Sequence, residues 1–65
     1  MICECFYEPR GDHGLEGYSL NSQYKCELIK QAKKSHWRVY PAKEYPEYYE
    51  TCGVLIFKRY FKEVE

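Results

Sequence analysis

The residues of this chain best suited to chemistry are four cysteines and two histidines: Cys3, Cys5, Cys26, Cys52, His13 and His36. Zinc takes four thiolate or imidazole ligands in a tetrahedron, and structural sites usually bring them as pairs separated by about two to four residues. Here the only close pair is Cys3-x-Cys5, and Cys26 and Cys52 would have to converge on it from separate strands. Cysteine also serves as a small apolar filler of cores. Reduced thiols in that role are the reading adopted, with disulfides and structural zinc as the alternatives, and no cofactor or metal is assigned. A cysteine beside His13 or His36 would make a nucleophile–base pair on paper, as it would in any small protein with these residue types. A chain of 65 residues offers little room for the deep, water-excluding pocket that catalysis uses. The chain is therefore read as a binding protein and not as an enzyme.

Gly11, Gly14 and Gly17 recur every third residue in GDHGLEG. This is neither G-x-G-x-x-G nor a phosphate loop with its Lys-Ser/Thr, so the glycines are assigned to backbone turns. The stronger signal lies between His36 and Cys52, which hold the single tryptophan and four of the eight tyrosines. Tyr40, Tyr45, Tyr48 and Tyr49 alternate there with Pro41 and Pro46. Rings and prolines on one hairpin suit an extended peptide, and tyrosine is enriched at binding hot spots. The same rings can stack on unpaired bases with Lys33, Lys34, Arg38 and Lys43 near the phosphates. The plain structural alternative is that part of the set walls a core too small to enclose it. Arg38, Tyr40, Tyr45, Tyr48 and Tyr49 are the candidate partner-binding residues.

Charge decides between a protein and a nucleic acid as the partner. Ten basic residues balance ten acidic ones, whereas general nucleic-acid or membrane-surface binders carry a basic excess. The balance is uneven along the chain. Between residues 25 and 43 stand Lys25, Lys30, Lys33, Lys34, Arg38 and Lys43 against Glu27 alone, and Glu44, Glu47 and Glu50 follow. Met1 leads into ICECFYEP without the features of a secretion signal, and no stretch approaches the ~20 apolar residues of a membrane helix. A cytoplasmic protein with reduced cysteines and no membrane attachment is expected.

The elements that must position these residues are short. A single domain of this length buries only about 60% of the surface its unfolded chain exposes, so its aromatic rings matter for stability as well as for binding. ICECFY (residues 2–7) has strand composition; Cys3, Cys5 and Tyr7 share one face and Ile2, Glu4 and Phe6 the other, and composition leaves either face free to turn inward. PRGDHGLEG reads as a loop, with Leu15, Tyr18 and Leu20 folding back over a core edge. QYKCELIK (23–30) is the second strand, QAKKS a loose hairpin loop, and His36–Tyr40 the third strand with Trp37 and Val39 on one side. Two prolines stiffen the next turn, and Tyr48–Cys52 forms the fourth strand. Val54, Phe57, Tyr60 and Phe61 stand at helical spacing, and Leu55 and Ile56 widen the apolar stripe; a short helix opened near Thr51 or Gly53 is the expectation, with a strand over the same residues as the alternative. FKEVE then makes a final short strand. The fold class expected is mainly β, with about five strands and one short helix near the C-terminus.

That order resembles small Src-homology-3-like barrels, in which a long loop follows the first strand and a helical turn precedes the last. The resemblance runs through Gly14-Leu15-x-x-Gly17, Tyr24, Arg38-Val39-Tyr40 and Tyr60-Phe61, and extends to short uncharacterised bacterial and phage proteins with a similar G-L-x-x-G…Y…YF arrangement. It implies a small β-barrel and an accessory or host-modulating role, and it brings no catalytic residue and no metal ligand. The function expected is a protein-binding module. The alternatives are a single-stranded nucleic-acid-binding barrel and a structural homo-oligomer such as a homodimer.

Overall fold

The computed structural model describes residues 1–65. Five antiparallel strands form one sheet: β1 (Ile2–Cys5), β2 (Gln23–Lys30), β3 (Ser35–Tyr40), β4 (Glu50–Gly53) and β5 (Phe61–Glu63), in the spatial order β4-β3-β2-β1-β5. The single helix α1 (Val54–Tyr60) carries the chain from one edge strand to the other. The fold is mainly β, as composition and periodicity predict. No helix is long and apolar enough to cross a membrane.

The inner face explains the cysteines. Cys3, Cys5 and Cys26 are fully buried, Cys52 nearly so, and all four are free thiols. They share the interior with a run of rings. Trp37 stacks on Phe57 at 4.0 Å between centroids and 7° between planes, Phe57 meets Phe61 at 5.4 Å, and Tyr18 stands edge-on to both Phe61 and Tyr24 at 5.0 Å. These rings pack beside strand positions filled by Cys and Val39, small residues that leave room for them and bury no unpaired polar group. Two of the tyrosines here have hydrogen-bonded hydroxyls: buried Tyr18 donates to the Val39 carbonyl at 3.3 Å, and half-buried Tyr24 accepts from the Ser19 N–H at 2.6 Å.

This packing answers the question of which way β1 faces, since Cys3 and Cys5 point inward while Ile2 and Glu4 are half-buried. It also corrects two strand ends. The first strand stops at Cys5 instead of Tyr7: the Phe6 N–H bonds to the Tyr60 carbonyl and Pro9 is buried, so the chain leaves the ladder and turns over the helix. The fourth begins at Glu50 instead of Tyr48, because Tyr45 N–H to Ala42 and Tyr48 N–H to Tyr45 close two successive turns that hold residues 41–49 out of the sheet. Leu15 and Tyr18 are buried as expected, but Leu20 is half exposed and stands outside the core cluster.

The 6–22 connection is ordered by its glycines. Gly11, Gly14 and Gly17 all have positive φ, between 76° and 89°, around a 3-10 turn at Asp12–Gly14. At Gly14 a Cβ would meet no atom within 4 Å, so any cost of a side chain there is backbone strain alone. Gly14→Ala should lower stability by about 1 kcal/mol, the penalty of a left-handed L-residue. A D-alanine at the same position, introduced by chemical synthesis, should be neutral or stabilising in denaturant titration.

Candidate partner-binding face

The candidate site is built on the outer face of the β2–β3 hairpin, opposite the core. Strand alternation that buries Cys26, Trp37 and Val39 sends Lys25, Glu27, Arg38 and Tyr40 outward. Pairing of Lys30 with Ser35 sets the register, which places Lys25 against Tyr40 and Glu27 against Arg38. Opposite charges and a ring therefore face one another across the strands. The Lys25 ammonium lies 4.7 Å from the centre of the Tyr40 ring. The Tyr40 hydroxyl donates to Glu27 Oε1, a bond that holds the Glu27 carboxyl below its ordinary range and raises the Tyr40 phenol. Lys25 and Arg38 lower Glu27 further.

The 41–49 turn folds back onto this face. Tyr49 lies 5.6 Å from Tyr40, and the Arg38 guanidinium sits 4.6 Å over the Tyr49 ring. Arg38 thus lies over one aromatic ring, an arrangement favoured by its planar, weakly hydrated cation. Its Nε is buried without a hydrogen-bond acceptor, and the molecule's two ion pairs, Arg10–Glu8 and Lys62–Glu4, lie elsewhere. Beside the stack, a groove of about 570 Å³ is lined by Tyr24, Lys25, Tyr40, Pro41, Lys43 and Pro46 among others.

Of the five residues predicted, Arg38, Tyr40 and Tyr49 come together as one cluster, with Arg38 over the Tyr49 ring and Tyr40 tilted against Tyr49. Tyr48, in the turn before β4, stays outside this cluster: its hydroxyl donates to Glu50 Oε2 at 2.9 Å, and that carboxylate raises the Tyr48 phenol, while Glu50 Oε1 accepts the Glu16 N–H at 3.1 Å. Tyr45 is 69% exposed at the turn. Sequence reasoning did not include Lys25 and Glu27 in the site. Their membership depends on hairpin register, which the Lys30–Ser35 closure supplies and composition does not.

The remaining candidates do not assemble. No three His, Cys, Asp or Glu side chains converge in a geometry that could hold a metal ion. The thiols lie in the core, while His13 packs near Tyr60 at 6.4 Å and His36 is on the outer face of β3. Compared with known protein families, curated proteins and solved structures, the chain matches none.

Proposed function

We propose that this chain is a small cytoplasmic binding module of the Src-homology-3-like kind, an accessory or host-modulating protein that holds a segment of another protein on its Arg38–Tyr40–Tyr49 face. The observation that carries the reading is Arg38, a half-buried guanidinium packed on the Tyr49 ring that pairs with no carboxylate of its own chain. A carboxylate from a bound segment would pair with the outward N–H groups of that cation through charge-assisted bonds, while Tyr40 and the neighbouring groove that includes Pro46 offer apolar surface beside it. The antiparallel order β4-β3-β2-β1-β5 with a helix before the last strand is compatible with the barrel resemblance.

A second reading has one observation in its favour: Lys25 and Arg38 share their face with Tyr40 and Tyr49, as stacking of single-stranded nucleic acid requires. Glu27 in the middle of that face and Glu44 and Glu47 in the turn oppose phosphate, which places protein first. The test is affinity capture from lysate with and without nuclease, comparing the wild-type chain with Arg38→Glu and with Tyr48→Ala/Tyr49→Ala. A hot-spot loss of at least 2 kcal/mol predicts roughly 30-fold weaker retention of a nuclease-insensitive protein by Arg38→Glu, at unchanged far-UV dichroism. Equal retention by the folded variants would remove this face from consideration. Partners seen only without nuclease would establish the nucleic-acid reading, and a dimer that captures nothing would favour self-association.

A further inference from the structure

Glu27 and Arg38 stand directly opposite each other on β2 and β3, and yet they form no ion pair. Opposite charges facing one another across two strands ordinarily attract and stabilise the pairing. Both side chains are half-buried on the outer face, where they could meet. Two tyrosines hold them apart. The Tyr40 hydroxyl donates to Glu27 Oε1 along the diagonal of the hairpin, and the Tyr49 ring carries the Arg38 guanidinium at 4.6 Å. Tyr40 and Tyr49 lie against each other at 5.6 Å, so the two contacts support one another. Lys25 lies over the Tyr40 ring and also forms no ion pair with Glu27. The bond from Tyr40, with the charges of Lys25 and Arg38, holds the Glu27 carboxyl below its ordinary range. Glu27 is therefore an anion at neutral pH, one strand away from the cation that a partner's carboxylate would use.

On the reading of Arg38 as the acceptor of a partner carboxylate, we propose that Tyr40 is a positioning residue: its hydroxyl latches Glu27 and so keeps the chain's own carboxylate off Arg38. Directly opposite residues of a sheet stand about 5 Å apart at Cβ, so an unlatched Glu27 reaches the guanidinium by side-chain rotation alone. The internal pair would then compete with every incoming carboxylate. The latch thus acts on acidic segments and not on neutral ones, which gain nothing from a free Arg38. Tyr40→Phe removes the hydroxyl and keeps the ring that lies beside Tyr49 and under Lys25.

The test titrates the full chain, followed by NMR of the Arg38 side-chain N–H, with a blocked hexapeptide of alternating glutamate and alanine. The glutamine–alanine hexapeptide is the neutral control. The wild type should prefer the glutamate peptide. Tyr40→Phe should weaken that preference roughly two- to fivefold, the strength of an exposed ion pair, at unchanged far-UV dichroism. Tyr40→Phe/Glu27→Gln should restore it, a rescue that a merely lost packing contact would not show. Equal preference in the wild type and Tyr40→Phe would overturn the latch and leave the reading of Arg38 standing. A weakening that Glu27→Gln does not reverse would also overturn it, because the phenol would then be touching the peptide itself. No preference for the glutamate peptide in the wild type, with none gained in Glu27→Gln, would overturn the latch and the reading of Arg38 together.

Discussion

Trp37→Ala should lower the unfolding free energy by about 3–5 kcal/mol, the range for removing a large buried ring. At about 0.05–0.15 kcal/mol per residue, a 65-residue chain has roughly 3–10 kcal/mol in all, so the variant should be largely unfolded or close to its midpoint in buffer. The reason lies in how the interior is filled. Trp37 is 4% exposed and stacks face to face on Phe57, which leans on Phe61, which meets Tyr18. Across the strands Trp37 faces Cys52, which is too short to swing into the space a ring leaves, and Leu28, which is partly buried and able to shift toward it. How far Leu28 fills the cavity sets where in the range the loss falls. Far-UV dichroism in urea measures the loss without relying on tryptophan emission. Phe57→Ala should cost a comparable amount, and the double variant less than the sum, because each ring is the other's main contact. A Trp37→Ala variant that melts like the wild type would mean that Trp37 is not part of the core.

What the sequence revealed depended on whether a signal was local. QYKCELIK alternates over its whole length and is a strand from Gln23 to Lys30. Trp37 and Val39 face inward as their period-2 spacing requires, and Val54, Phe57 and Tyr60 lie on a helix because three-residue spacing fits no strand. The ends of β1 and β4 were not local matters. Phe6, Tyr7, Tyr48 and Tyr49 have strand composition, yet a long-range bond to Tyr60 and two short-range turns draw them out of the ladder. The facing of β1 was equally hidden, because ICECFY carries apolar residues on both sides. It is settled by Cys5 pairing with Phe61 at the far end of the chain. The binding face shows the same division. The tyrosine cluster is visible in composition, whereas the alignment of Lys25 with Tyr40 and Glu27 with Arg38 exists only through register.

Raising the pH from about 8 to 11 should unfold the protein cooperatively. Burial pushes the thiols of Cys3, Cys26 and Cys52 above the ordinary value of 9.0, Cys52 to about 11, with the neighbouring Cys26 raising Cys3 further. Burial, with Glu50 nearby, raises the Tyr18 phenol as well. Below pH 9 these groups are protonated in both states and their contribution to stability is whole. Above it the unfolded chain ionises first, so the native state holds more protons and stability falls as pH rises, by about 1.4 kcal/mol per pH unit for each group. Cys3 and Cys52 together give a slope of about 2.7 kcal/mol per unit between about pH 9 and 11, with Cys26 adding in the same direction, a loss by about pH 11 comparable with the whole stability of so small a domain. Cys52 ceases to add to the slope near 11, while Cys3 continues beyond it. The measurement is urea denaturation at stepped pH in the presence of a reductant. Cys3→Ala should be less stable at neutral pH, through the lost sulfur contact, and yet show a shallower alkaline decline, because one proton-linked group is gone. Stability that stays flat from pH 8 to 11 in the wild type, or a decline of unchanged slope in Cys3→Ala, would show that the thiols ionise in contact with water and are not the filling of the core.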